Sequence, residues 1–309
     1  MTTQPKHFLT FADLTCDEIG YLFSRARLLK ERVHMGQYAN TLKGRTLAMI
    51  FEKASTRTRV SFEIGIMQLG GNAVVLSGND TQISRGEPVP DTARVISSMA
   101  DAVMIRTFQQ QMVETFAAHS RVPVINGLTD EHHPCQVLTD LYTFFEHRGN
   151  IAGKSVAWVG DANNMLYSWI QAASVMGFNV RYAAPDGYRV DLSRLSENEK
   201  DCLQWCADPA DAVRGAAIVT TDVWVSMGQE AENEKRFRAF EGFQVNAELM
   251  RHAAADAVFM HCLPAHRGEE VTADVIDGAQ SLVWEEAENR LHAQKALIEF
   301  LLLGRIKTD

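Results

Sequence analysis

Thr46-Leu47-Ala48-Met49-Ile50-Phe51 runs directly into Glu52-Lys53-Ala54-Ser55-Thr56-Arg57-Thr58-Arg59, and then into Val60, Ile64 and Met67, which recur at helical spacing up to Gly70-Gly71. The six-residue apolar run reads as a strand buried on both faces, and the pattern after it as an amphipathic helix with Ser55 as its N-cap. Strand, polar loop, helix is the repeating unit of a parallel α/β sheet. Similar apolar runs follow at 73–76, 101–105 and 122–125, and a second series at 154–159, 178–182, 216–220, 257–260 and 281–284. Helical patterns separate them in both halves.

The sequence therefore predicts an α/β protein of two doubly wound parallel-sheet domains joined by long helices. Pro134 opens a helical pattern over about 134–148, with Val137, Leu138, Leu141, Tyr142 and Phe145 on one face. The pattern from Glu285 to about Ile306 is a terminal helix that returns to the first domain. The expected division is 1–133 together with 286–309, a connecting helix at 134–149, and a second domain at 150–285. A chain of 309 residues, 46% hydrophobic and 22% charged, has the length at which one core commonly gives way to two.

Composition also narrows function. A net charge of -9 offers no general attraction to nucleic acid or an anionic membrane, so any cationic site must be local. Five cysteines, an odd number, read as reduced thiols of a cytoplasmic protein. Cys202 and Cys206 are read as sharing one helical face and not as metal ligands, because no second Cys/His pair lies near them. Neither a signal-peptide pattern nor an apolar run of membrane-spanning length is present, so neither export nor membrane insertion is expected.

In open parallel sheets ligands bind beyond the carboxyl ends of the strands, so the residues after each strand are the candidates. Ser55, Thr56, Arg57 and Thr58 open a helix whose positive end disfavours arginine, which makes them either an anion cradle or a solvated basic turn. Arg106 follows the third run. His133-Pro134-Cys135-Gln136 opens the connecting helix; His133 and Gln136 either share a ligand or leave the imidazole exposed in a loop. Asn126-Gly127-Leu128 reads as a polar loop. Gly160-Asp161-Ala162-Asn163-Asn164 lacks the glycine fingerprint of a dinucleotide site. Asp222, with Glu230, Glu232 and Glu234 beyond it, suits a cationic amine. Cys262, in His261-Cys262-Leu263-Pro264, is by default a buried thiol, with nucleophile and metal ligand as the alternatives.

Taken as an ordered set, Ser55-Thr56-Arg57-Thr58-Arg59, Arg106, His133-Pro134-Cys135-Gln136 and His261-Cys262-Leu263-Pro264 resemble the aspartate/ornithine carbamoyltransferase superfamily. Asn163-Asn164 and Asp222 with Ser226-Met227-Gly228 resemble its ornithine-using branch, and the likeness runs from about Phe8 to the C-terminus. The resemblance implies carbamoyl phosphate in the first domain, L-ornithine in the second, domain closure on the reactants, and transfer giving citrulline and phosphate, with neither cofactor nor metal. It further implies that Ser55, Thr56, Arg57 and Thr58 hold phosphate, that Arg106 reaches phosphate and carbonyl oxygen, and that His133 contacts that oxygen. Gln136 and the backbone at Cys262 and Leu263 would receive the carbamoyl amide, with Arg290 nearby and Pro134 and Cys135 in the same motif. Asn164, Asp222, Ser226 and Met227 would contact ornithine.

Asp80-Thr81-Gln82-Ile83-Ser84-Arg85-Gly86-Glu87-Pro88 resembles the family loop that reaches a neighbouring subunit, which implies a trimer with shared active sites and Gln82 as the contributed residue. Ser84 departs from the Gly or Leu of the pattern. Direction remains open between arginine biosynthesis, the expected one, and its reverse. The alternatives are a carbamoyltransferase for another amine acceptor and a silent binding protein on the same fold.

Overall fold

A computed structural model describes residues 4–77, 86–225 and 233–306. The chain divides into two compact units, Met1–Tyr142 with Glu288–Asp309, and Thr143–Ala287. The divisions fall inside two continuous helices, Pro134–Arg148 and Val283–Leu303.

The first unit runs α1 (Cys16–His34), β1 (Thr46–Phe51), α2 (Thr56–Gln68), β2 (Asn72–Ser77), α3 (Val89–Ser97), β3 (Ala102–Arg106), α4 (Gln110–His119), β4 (Val124–Leu128) and the start of α5 (Pro134–Arg148). Among the described residues its sheet is four-stranded and parallel, in the order β2-β1-β3-β4. Strand order reverses between β1 and β3, the place where a doubly wound sheet opens a crevice at its carboxyl edge. Phe51 and Arg106, the last residues of those two strands, are register partners. The loop after β1 and the side chain of Arg106 therefore start from the same point.

Burial follows the runs of the inner strands but not the α2 positions, where Phe62 and Ile66 are buried and Val60, Ile64 and Met67 are exposed. Ala48 and Ile50 of β1, Val103 and Ile105 of β3, and Val124 of β4 pack with Ala93, Val113, Phe116 and Ala117 of the covering helices. β2 is the edge strand and alternates between exposed and half-buried positions.

Asn126-Gly127-Leu128 belongs to β4 and is not a loop. Ile105 pairs with Asn126 and Arg106 with Leu128, so Gly127 is the extra residue of a bulge. A bulge bends its strand and re-aims the side chains beside it. Glycine suits this close approach: a Cβ there would meet the Ile105 carbonyl oxygen at 3.2 Å and would have to displace the Met104 sulfur, 2.4 Å away.

The second unit continues with β5 (Ser155–Val159), α6 (Asn164–Met176), β6 (Asn179–Ala183), α7 (Glu197–Asp201), β7 (Leu203–Cys206), α8 (Pro209–Val213), β8 (Ile218–Thr221), α9 (Asn233–Ala239), α10 (Ala247–Met250), β9 (Val258–His261), α11 (Ala273–Ile276) and the start of α12 (Val283–Leu303). Its described sheet is also parallel, in the order β7-β6-β5-β8-β9, and reverses between β5 and β8. Ala157, Val159, Val219 and Phe259 form its core with Val245, Val271, Ile276 and Val283.

Two expectations are corrected here. Cys202 caps α7 while Cys206 ends β7, so they do not share a helical face. β7 is a short edge strand whose one large aromatic, Trp205, lies outside the sheet core under the Arg189 guanidinium, 3.7 Å from the ring centroid. The run 281–284 is not a strand either: Ser281 makes a single bridge to Phe259, and Val283 already begins α12. Glu285 and Glu286 in the first turn favour a helix start there.

Gly127→Ala is expected to lower stability by about 1–3 kcal/mol, the usual cost of forcing extra volume into a packed site. Urea denaturation measures it; an unchanged midpoint would mean that the strand pair absorbs the methyl group.

Candidate active site

In the first unit the loop after β1 becomes α2 because Ser55 caps it, its hydroxyl oxygen accepting the Thr58 N–H at 3.2 Å. Lys53, just before, is ion-paired with Asp130 and sits 4.3 Å from the Phe108 ring centroid, while the Glu52 N–H donates to the Arg106 carbonyl at 2.9 Å. These bonds tether the loop to the end of the sheet. Thr56 is exposed and Arg57 half-buried, whereas Arg59 turns back to Glu63 on its own helix at 3.3 Å.

Thr58 is fully buried, and two guanidinium groups converge on its hydroxyl: Arg290 Nη2 donates at 2.8 Å and Arg106 Nη1 at 3.4 Å. A hydroxyl oxygen that accepts twice has its own proton left to give elsewhere. Arg290 comes from α12, 232 positions from Thr58, and Arg106 from the end of β3, 48 positions from it, and both meet that one oxygen. Two guanidinium groups held this closely make the site strongly cationic, and an anion placed beside them would be favoured.

His133 belongs to the same cluster. It is buried, not an exposed loop imidazole. Burial, then the charges of Arg290 and Arg106, hold its ring well below the ordinary histidine value, so it is neutral at pH 7. Pro134 starts α5. The Cys135 thiol donates to the Asn126 carbonyl at 3.3 Å, and burial pushes it up to about 12, which makes it a structural group. Gln136 is buried, its Nε2 donating to Asp140 Oδ1 at 2.8 Å. Gln82 lies outside the described residues.

In the second unit the equivalent loops carry the opposite charge. Asn163 caps α6, its side-chain oxygen accepting from the Met165 and Leu166 amides, and its Nδ2 donates to Asp222 Oδ2 at 2.7 Å. Asp222, just after β8, also accepts at Oδ1 from its neighbour Val223 N–H at 2.9 Å and from the Cys262 thiol at 3.3 Å. Cys262 is half-buried, more open than a default core thiol, and follows β9. Asn164 is the first residue of α6. The carboxyl ends of β5, β8 and β9 thus supply Asn163, Asn164, Asp222 and Cys262. Ligating atoms of Asp222, His261 and Cys262 lie within 4.8 Å of one another. Ser226 and Met227 lie outside the described residues.

Several supporting residues carry no motif. The Leu263 N–H donates to His261 Nδ1 at 2.9 Å, with Leu263 at φ 56°, and His261 Nε2 lies 3.3 Å from buried Glu270 while its backbone N–H donates to Glu286. Arg236 is buried on α9, donates to the Trp224 carbonyl at 2.5 Å and pairs with Asp161, so it ties together the loops after β5 and β8. The available signals were an acid on the apolar face of α5 for Asp140, and an arginine among Trp224, Phe237 and Phe240 for Arg236.

Residues 6–146 match the carbamoyl-P binding domain of aspartate/ornithine carbamoyltransferases, and residues 152–301 match their Asp/Orn binding domain. The chain belongs to the aspartate/ornithine carbamoyltransferase family. It is 61% identical to an ornithine carbamoyltransferase of Methylobacillus flagellatus over 98% of this chain and 99% of that one. The crystal structure of ornithine carbamoyltransferase from Burkholderia thailandensis matches with a TM-score of 0.91 at 56% identity, covering 97% and 100% of the two chains. The anabolic ornithine carbamoyltransferase from Campylobacter jejuni matches with a TM-score of 0.88 at 43% identity, covering 96% and 98%.

A pH dependence follows from the first unit. His133 is joined by His292 of α12, pushed down to about 3 by burial and by Lys295, Lys30 and His34. The His292 ring is neutral in the folded protein at pH 5–7, His133 is shifted in the same direction, and both titrate near about 6.5 when unfolded. As pH falls below that value the unfolded chain binds the protons, so stability present above it is lost progressively. Urea denaturation from pH 7 to 5 is expected to show a loss approaching about 1.4 kcal/mol per pH unit for His292, with a further loss from His133. His292→Leu should remove one share, and a flat profile in the parent protein would contradict the account.

Proposed function

We infer that this chain is an ornithine carbamoyltransferase, which moves the carbamoyl group of carbamoyl phosphate to the δ-amine of L-ornithine and releases citrulline and phosphate. The observation that carries the reading is the pair of guanidinium groups meeting at Thr58 beside a neutral His133, at the carboxyl edge of β1 and β3. A family domain that binds carbamoyl phosphate places a phosphate and a polarised carbonyl in one ligand, and these are the two demands such a cluster meets.

In this proposal Ser55, Thr56, Arg57 and Thr58 hold the phosphate at the N-terminus of α2, where backbone N–H groups and the helix dipole favour an anion. Arg106 serves phosphate and carbonyl oxygen, Arg290 supports it, and the spare proton of Thr58 points to the ligand. A neutral His133 donates a hydrogen bond to the carbonyl oxygen without surrendering its proton. When the amine attacks, that oxygen takes negative charge, and each aligned donor is worth about 2.7–4 kcal/mol in the transition state. The leaving group is already built into the donor, so the transfer requires no covalent enzyme intermediate.

Asn164, Asp222, Ser226 and Met227 are the proposed ornithine contacts, with Cys262 and Leu263 completing the set. An amine with an ordinary pKa of about 10.4 arrives as an ammonium and must lose a proton before it attacks. Asp222, held between Asn163 and Cys262, turns carboxylate oxygens toward the amine end of the acceptor in this reading. An aspartate acceptor would instead call for a cation at this place.

The direction we propose is synthetic, toward arginine, as in the anabolic relative from Campylobacter jejuni. Free cysteines and the absence, among the described residues, of any helix long and apolar enough to cross a membrane support a cytoplasmic setting. We also propose a homotrimer in which Gln82 of one chain completes a neighbour's site. Val60, Ile64 and Met67 support it as an outward apolar stripe on α2, exposed by 47%, 41% and 61%. Light scattering on the purified protein should give three chain masses, falling to one in Ile64→Glu/Met67→Glu; a monomeric parent protein would reject the assembly.

Two substitutions test the division of labour. Arg106→Ala should lower citrulline formation by roughly 10²–10³-fold, as loss of a transition-state donor does, with the thermal midpoint retained. Asp222→Asn should abolish ornithine-dependent turnover and leave carbamoyl phosphate binding intact by calorimetry. Equal weakening of both ligands in Asp222→Asn, or wild-type turnover in Arg106→Ala, would contradict these roles.

A further inference from the structure

Gln136 and Asp140 stand one turn apart on α5, each only 1% exposed, and the Gln136 Nε2 donates to Asp140 Oδ1 at 2.8 Å. Val137, Leu138 and Leu141 on the same helix are buried apolar residues. A carboxylate in such company is uncommon and usually has a specific partner. Here the partner is a residue of the candidate donor site, three positions beyond His133.

A carboxamide presents two ends of almost equal size and opposite hydrogen-bonding sense, and it can turn over within its own envelope. A carboxylate only accepts. With Nε2 committed to Asp140, the amide is fixed in one of its two orientations, and Oε1 becomes the end directed away from the carboxylate. The reverse orientation would set Oε1 against Oδ1, two acceptors facing each other in a buried place.

We propose that Asp140 is a specificity-determining positioning residue: by fixing the sense of the Gln136 amide it makes Gln136 a hydrogen-bond acceptor for the carbamoyl NH2 group. The chain thereby selects carbamoyl phosphate over acyl phosphates whose carbonyl carries a methyl group. This rests on the reading of the first unit as the carbamoyl phosphate site. NH2 and CH3 are nearly the same size, and carbamoyl and acetyl phosphate present the same phosphate and carbonyl to Arg57, Arg106 and His133. Shape and charge therefore separate them poorly. A buried acceptor separates them well, because the methyl compound leaves it without a donor. The Asp140 carboxylate, bonded to Gln136 Nε2, gives the amide this sense.

The test compares wild type, Asp140→Asn and Asp140→Glu in the full chain. It reads KM for carbamoyl phosphate in citrulline formation, Ki for acetyl phosphate as a competitor of it, and KM for ornithine. In D140N the facing group can itself donate, so the Gln136 amide loses its preferred sense. Carbamoyl phosphate KM should rise about tenfold, the scale of one lost hydrogen bond to a charged or buried group. Acetyl phosphate Ki should stay within about twofold, since that ligand never used the acceptor. The discrimination ratio then collapses while ornithine KM holds. D140E keeps the charge but displaces it by a methylene, and its ratio should fall between the other two, which supplies the readout if D140N does not fold. A purely structural role would weaken both phosphates together; an unchanged ratio in a folded variant overturns the inference while wild-type citrulline formation keeps the functional reading. A wild type that forms no citrulline overturns both.

Discussion

The hydroxyl of Thr58, shared by Arg106 and Arg290, is the interaction on which the first unit turns. Gathering two guanidinium groups at one buried oxygen is costly unless their positions are enforced, because each charge loses water and repels the other. The fold enforces them from three directions. The bulge at Gly127 sets the end of β3, the Ser55 cap fixes the first turn of α2, and α12 brings Arg290 back from the far end of the chain. Burial, and then the same charges, keep His133 neutral. One cluster therefore gathers two cations at one hydroxyl and helps to set the protonation state of the group beside it.

The second unit uses the same topology with the sign reversed. Its sheet also reverses order next to its first strand, and the residues after β5, β8 and β9 meet at Asp222. Asp222 accepts from an amide side chain, a backbone N–H and a thiol, so its oxygens are oriented while the group remains half-buried. A parallel sheet fixes where loops emerge and leaves their chemistry open, and this chain places cations at one switch point and an acid at the other.

Much of this was legible in the sequence because the signals were local. β1 coincides with its apolar run, α5 with the pattern opened by Pro134, and Ser55 caps α2 as its side chain predicts. The failures were places where a tertiary partner decided the outcome. Val283-Trp284 has the composition of a strand, but pairing with Phe259 stops at Ser281 and the acids that follow start a helix. Cys202 and Cys206 were assigned by spacing alone, whereas β6 recruits the segment 203–206 as its edge partner. Asn126-Gly127-Leu128 has the composition of a turn, yet β3 holds it in the sheet through a bulge. His133 was judged by its loop-like neighbours, and only Arg106 and Arg290, both remote in sequence, reveal that it is enclosed.

In both units a buried acid orients a functional group without itself standing where a ligand would. Asp140 does so for the Gln136 amide. Around His261, Leu263 donates to Nδ1, so the ring proton belongs on Nε2, facing Glu270, while Glu286 accepts from the His261 backbone. Nδ1 holds the Cys262-Leu263 turn, including the left-handed conformation that Leu263 adopts at φ 56°, and Nε2 lies 3.3 Å from Glu270. A motif search looks for residue types that touch a ligand, and acids such as these belong to none. Their signature is an ionisable residue at a position where helix or strand periodicity demands an apolar one. In a sequence with few such exceptions, each marks a polar group nearby whose orientation the fold has had to choose.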